Sequence, residues 1–222
     1  MIIGGIFFSS LFGLFNAILV VWFKINPLIV TLATGFAGGG VLLIVFDMRT
    51  VDPKSAIAHF GLAHLLRFPA AWWPMAILTV ASHFFFKYSK IARHVLAVGG
   101  NPTSAKAMGI NLKHIRLGTF IASSIFGGMA GIIYSAFSPE VNSAGGSYFT
   151  LPVIAAVVLA GFSLSGGRGS FIALFISVGF LSTVPTALVF FGLQSIWETP
   201  IQGFILIIAV SIDAFRILRM KG

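Results

Sequence analysis

The chain has no cysteine, few charges and fewer acids. Without cysteine there is no disulfide framework, no thiolate metal site and no thiol nucleophile. Only 9% of the 222 residues are charged, against about a quarter in an ordinary soluble domain. Hydrophobic residues make up 58% of the sequence, and the mean hydropathy is +1.03. Water cannot solvate such a surface, whereas lipid can. Five Asp and Glu stand against 14 Lys and Arg, a net charge of +9. The basic residues sit in connections between apolar runs. The excess therefore points to membrane topology, and no nucleic-acid partner is expected. No His, Asp and Glu group has metal-ligand spacing. His59 and His64 are not on one helical face. No catalytic residue, no metal and no cofactor is assigned.

What the sequence does contain is a succession of apolar runs at 1–23, 27–46, 70–86, 117–137, 151–162, 170–193 and 200–215. They are continuously apolar, so strands of a barrel are excluded. The expected fold is an all-α membrane protein, a polytopic transmembrane helix bundle with about six to seven apolar segments. Crossing the hydrocarbon takes about 20 helical residues. The run 151–162 is too short to cross unaided and reads as re-entrant or buried. Trp72 and Trp73 read as an interfacial belt.

Lys and Arg set the orientation. The connection 87–116 holds Lys87, Lys90, Arg93, Lys106, Lys113 and Arg116 and no acid, so it is placed in the cytoplasm. Alternation then brings Lys24, Arg216, Arg219 and Lys221 to the same side, with a cytoplasmic C-terminus, and Arg168 joins them if the run 151–162 crosses. Of the 14 basic residues only Arg49, Lys54 and Arg67 remain outside, together with the acids Asp47, Asp52, Glu140 and Glu198. Met1 also falls outside, with no basic segment before the first apolar run. The expectation is a single transmembrane domain, 1–222, forming the C-terminal part of a longer one.

Four features have competing readings. Gly35 with Gly39, and Gly127 with Gly131, have the G-x-x-x-G spacing that lets helix backbones approach. Packing within one bundle is the ordinary reading and a dimer seam the sharper one. Pro185 predicts a kink. His83 reads as an interfacial, hydrogen-bonded histidine, with a proton relay as the alternative. The stretch 161–169, GFSLSGGRG, has phosphate-loop spacing at Gly161 and Gly166, but Gly167 and Arg168 replace the required Lys and Ser or Thr. It reads as a glycine turn between two membrane segments.

The stretch 98–111, VGGNPTSAKAMGIN, encodes a complete short helix. Asn101 is a favoured N-cap, Pro102 a favoured first residue and Gly109 a left-handed stop. Ala105, Met108 and Ile110 make a small apolar patch beside Lys106. Two turns are unstable alone in water, so this helix needs something to dock against.

Residues 98–111 resemble the cytoplasmic coupling loop of bacterial ABC importer permeases of the ribose/galactose/xylose type. INPLIVTLATG upstream, and GTFIASSIFGGMAGIIYSAF and IAAVVLAGFSLSGGRGS downstream, resemble the same family in the same order. The resemblance implies a non-enzymatic permease subunit in the bacterial inner membrane. Its expected partners are a second permease copy or homologue, a cytoplasmic ATP-binding subunit and a soluble extracytoplasmic substrate-binding protein. Gly99, Gly100, Asn101, Pro102, Ala105, Lys106, Met108, Gly109 and Ile110 would form the ATPase-coupling loop. The solute would be a monosaccharide or similar small polar molecule. The alternatives are a related permease for branched-chain amino acids or nucleosides, and a passive or secondary transporter. The last is disfavoured because no carboxylate lies well inside a span. The stretch 147–153, SYFTLPV, departs from the family pattern: its two acids are missing and Pro152 intervenes. No substrate-contacting residue is assigned.

Overall fold

Five of the described helices begin beside a short polar side chain, Asn26, Ser89, Asn101, Asn111 or Ser170, and three are followed by a left-handed glycine, Gly109, Gly161 or Gly192. The computed structural model describes residues 2–46, 64–65, 68–70, 72–137, 145–163, 166–193 and 195–219. The expectations placed on Asp47, Arg49, Asp52, Lys54, His59, Arg67, Glu140 and Lys221 lie outside these residues. The described α-helices, in chain order, are α1 (Ile2–Val21), α2 (Pro27–Phe46), α3 (Trp72–Tyr88), α4 (Lys90–Gly100), α5 (Pro102–Ala107), α6 (Leu112–Phe137), α7 (Thr150–Leu159), α8 (Phe171–Phe190) and α9 (Glu198–Arg219). One two-residue antiparallel pair, His64–Leu65 with Phe68–Pro69, is the described extended structure. The all-α membrane architecture read from the sequence is therefore the observed one.

Among the described residues, four helices are long and apolar enough to cross a membrane: α1, the Pro27–Val45 part of α2, the Leu112–Ala136 part of α6, and α8. Helix α7 has 10 residues, about 15 Å at 1.5 Å per residue, or half the hydrocarbon thickness. Helix α8 runs unbroken through Pro185. The connection 87–116 differs from the expected loop with one short helix. It carries a second helix, α4, and α6 begins at Leu112.

The chain divides into two compact units, Met1–Ala76 with Ala105–Ser147, and Ile77–Ser104 with Tyr148–Gly222. In the first unit α1 packs antiparallel on α6 along a row of small residues. A Cβ on Gly5 would meet the Ile132 side chain at 3.5 Å. A Cβ on Gly13 would lie 2.5 Å from Ser124 Oγ and 2.9 Å from the Phe120 carbonyl oxygen, and one on Gly128 would collide with Ser9. These contacts step by four residues down each helix, the i±4 ridge. Lipid tails are as apolar as Leu, so helices here gain from dispersion at close approach, which small side chains allow. One buried polar contact ties α2 to α1: the Thr34 hydroxyl donates to Oδ1 of Asn16 at 2.7 Å, and Asn16 is 5% exposed.

Gly35, Gly39, Gly127 and Gly131 do not form this seam. A Cβ on any of them meets nothing within 4 Å. The within-chain packing expected at these two G-x-x-x-G pairs is corrected to the Gly5, Ser9, Gly13 row of α1 and the Ser124, Gly128 row of α6. Gly127 is one residue from Gly128, a rotation of about 100° around the helix, so the two face different neighbours.

In the second unit Ala155 and Ala156 of α7 pack with Leu181 of α8, flanked by Leu174 and by Ile205 of α9. Small side chains let the half-length helix sit deep between two longer ones.

Gly13→Leu or Gly128→Leu should lower the thermal midpoint of the detergent-solubilised chain, as over-packing costs roughly 1–3 kcal/mol or more. Gly127→Leu and Gly131→Leu should leave it unchanged. Equal losses at all four positions would refute this seam.

Candidate functional site

Helix α4 starts at Ser89, whose hydroxyl oxygen accepts the Ile91 N–H at 3.2 Å. Ala92 and Val98 are buried, while Lys90, Arg93 and His94 are exposed. The helix is therefore amphipathic, as expected for an element between an apolar bundle and water. It ends on Gly99 and Gly100, after which Asn101 is extended (φ −150°, ψ 95°).

From there the chain builds α5 as the sequence predicts. Oδ1 of Asn101 accepts the Ser104 N–H at 3.0 Å, which satisfies one of the helix's otherwise orphaned donors. At the other end Gly109 has φ +80°. Its N–H donates to the Lys106 carbonyl at 3.0 Å, and the Ile110 N–H donates to the Ala105 carbonyl at 3.1 Å. Those two bonds define a Schellman stop, and glycine takes this φ without steric cost. Asn111 at once caps the next helix, its Oδ1 accepting the Lys113 N–H at 3.1 Å and the His114 N–H at 3.3 Å. The result is a six-residue helix held rigid at both ends.

Its surface is almost entirely available. Ala105 is fully buried, Ile110 is half-buried, and Asn101, Pro102, Lys106, Met108 and Gly109 are exposed, with Met108 67% exposed. The apolar patch expected from Ala105, Met108 and Ile110 is thus split: Ala105 faces the protein, while Met108 is presented outward.

Gly99 and Gly100 have a role that sequence reasoning missed. A Cβ on Gly99 would lie 2.7 Å from the Gly167 nitrogen, one on Gly166 2.9 Å from the Gly99 carbonyl oxygen, and one on Gly167 2.6 Å from Gly100 Cα. Two glycine pairs thus meet backbone to backbone, with Gly166 and Gly167 both left-handed, at φ +92° and +82°. The turn at 161–169 has its expected positive-φ glycines, but it also seats the end of α4 immediately before α5. The signal was visible as two Gly-Gly pairs in polar connections. Their pairing was not, because 65 residues lie between Gly100 and Gly166. His83 lies half-buried on α3, its ring 5.8 Å from that of Phe84.

No group of three or more His, Asp or Glu that could hold a metal ion occurs among the described residues. The site offers backbone shape, exposed cations and one exposed methionine, chemistry suited to protein contact.

Residues 1–210 match the family described as branched-chain amino acid transport system, permease component. The chain is 26% identical over 212 residues to a ribose import permease protein of Haemophilus influenzae, covering 93% of this chain and 66% of that protein. It is 28% identical to a D-allose transport system permease protein of Escherichia coli, covering 95% and 65% of the two chains. It is 30% identical to an autoinducer 2 import system permease protein of Klebsiella pneumoniae, covering 92% and 60%. The chain thus spans just under two thirds of the length of these curated relatives. No solved structure matches.

Gly167→Ala should destabilise the second unit, because the added Cβ meets backbone and the residue holds a positive φ, which costs roughly 1–2 kcal/mol by itself. Asn101→Ala should cost about 1 kcal/mol of local α5 stability, read as faster amide exchange over 102–110. Gly118→Ala, which meets nothing within 4 Å, is the neutral control. Unchanged melting of Gly167→Ala would refute the glycine contact.

Proposed function

We propose a transport function from one premise: this chain belongs to the family described as branched-chain amino acid transport system, permease component. In our reading it is the multi-pass permease subunit of an ATP-driven ABC importer in the bacterial inner membrane, with its C-terminus in the cytoplasm. It forms a path for a monosaccharide or similar small polar solute. The relatives named for ribose and D-allose support a sugar, and the family's description supports an amino acid as the second reading. The chain acts as a single permease domain beside a second permease copy or homologue. A soluble binding protein delivers solute from outside, and the chain itself is not an enzyme.

The observation that carries the coupling role is α5, a helix capped at both ends with an exposed methionine, in a segment that contains no acid. Two isolated turns do not persist in water without docking. An ATP-binding subunit that received residues 101–109 in a cleft would satisfy that need and would convert its own closure into movement of α4. The Gly99–Gly167 contact, which lies inside the unit that holds α4, α7 and α8, would pass such movement from the end of α4 to the turn before α8. Solute passes; no bond in it is made or broken here.

Met108→Glu places a charge on an exposed side chain without touching the buried core. Uptake in native membranes should fall to near background, with chain abundance and membrane insertion unchanged, and the ATP-binding subunit should no longer co-purify. Uptake that stays at the wild-type level would remove the coupling role. Uptake insensitive to vanadate but abolished by a proton uncoupler would replace ATP-driven import with secondary transport.

A further inference from the structure

Asn16 and Ser177 are the buried polar side chains among the described residues. Asn16 lies in α1, five residues before its end at Val21, or about 8 Å along the axis. That depth is inside hydrocarbon, where a polar group is expensive unless its hydrogen bonds are filled. Neither α1 nor α2 contains an Asp, Glu, Lys, Arg or His. The register of the α1–α6 seam, with Gly5 at Ile132 and Ser9 at Gly128, sets Asn16 level with Ile121, past the last charge of α6 at Arg116. Asn16 is thus a neutral amide in an uncharged stretch.

Its hydrogen-bonding capacity is not filled. A carboxamide has two N–H donors and an oxygen with two lone pairs. Thr34 Oγ1 lies 2.7 Å from Asn16 Oδ1 and 2.8 Å from the Val30 carbonyl oxygen, and a hydroxyl has one proton for the two. Where the proton goes to Asn16, both amide N–H groups are left over. Where it goes to Val30, the amide turns over, donates one N–H to Thr34, and leaves its other N–H and its oxygen unfilled. No further hydrogen bond reaches the Asn16 side chain. A polar tie between helices accounts for the Thr34 contact, but it leaves the remaining donor without a purpose.

The two neighbours of Asn16 hold it differently. Towards α6, α1 is fixed by the close approach at Gly13. Towards α2 the contact is a narrow row: Thr34 and, one turn on, Gly38, where a Cβ would meet the Phe12 ring at 3.4 Å. Val30 is the one buried residue among those described in α2, whereas Leu28, Ile29, Phe36 and Val41 are exposed. A small displacement of α2 therefore uncovers Asn16 while α1 stays in place.

We propose that Asn16 contacts the translocated solute when α2 moves aside, and that this solute is neutral and polyhydroxylated. A hydroxyl both accepts an N–H and donates to an amide oxygen, so adjacent hydroxyls fill Asn16 in either placement. A zwitterionic amino acid would leave two charges unpaired in this stretch. The inference rests on the transport reading and narrows its solute.

Because the chain has no cysteine, a single introduced thiol reports on this position in native membranes that hold the complete transporter. Asn16→Cys is compared with Ile18→Cys, an exposed position about 200° round the helix. A charged methanethiosulfonate reagent is applied with and without saturating D-ribose, D-allose or L-leucine, and labelling is read on the tagged chain. The reagent should modify Asn16→Cys and not Ile18→Cys. A sugar that wild-type membranes import should slow that modification several-fold, with no effect of L-leucine. Asn16→Leu should lower import of the same sugar roughly tenfold at unchanged abundance; if it does not insert, the two Cys variants decide alone. Unmodified Asn16→Cys in membranes that import sugar overturns the site, as does modification that an imported sugar leaves unchanged. Protection by L-leucine alone overturns the solute class. A wild type without vanadate-sensitive uptake of any of the three removes the transport reading, and this site with it.

Discussion

A backbone that enters hydrocarbon must satisfy its own polar groups, because no water is there to do so. Helix interiors meet this demand automatically, but their ends do not. The described helix ends meet it with a small set of devices. Asn26, Ser89, Asn101, Asn111 and Ser170 each offer a side-chain oxygen to the first turn of the helix that follows. Gly109 closes α5 with paired carbonyl contacts, and Gly161 and Gly192 close α7 and α8 in the same way. These devices let α5 exist as a two-turn helix and let α7 end after 10 residues.

Close approach is the second consequence of that setting. Where burial against lipid gives no preference for one partner over another, helices gain by bringing backbones together. The first unit does so along Gly5, Ser9 and Gly13 of α1 and Ser124 and Gly128 of α6. In the second unit Gly99 and Gly100 lie directly on Gly166 and Gly167, with no side chain between them. The contacts at Gly13, Gly128, Gly99, Gly166 and Gly167 leave no room for a Cβ.

The cations of the basic connection occupy distinct places in the fold. Its cations divide by position: Lys90 and Arg93 lie on the exposed face of α4, Lys106 lies on α5, and Lys87 shares a cavity with His83 and Arg168. The same excess of Lys and Arg that argues for a cytoplasmic face therefore serves chemically distinct places once the chain folds.

The membrane class, the order of the helices and the ends of α5 were legible in the sequence. Hydropathy and capping depend on residues adjacent in the chain: Asn101 before Pro102 starts a helix, and Gly109 stops one, whatever surrounds them. Helix α4 was missed, because its charges interrupt the apolar run and the stretch reads as loop; the signal that could have found it is Ser89 followed by apolar residues at 92, 95 and 98. What only the tertiary structure decided is which small residues meet. A spacing rule selects Gly127 and Gly131, yet α6 presents Ser124 and Gly128 to α1. Likewise no local pattern joins Gly99 to Gly167. The reason is geometric. One residue turns a helix by about 100°, so the choice of contacting face rests on the rotation of each helix against its neighbour, and that rotation is set by all the side chains along both surfaces together.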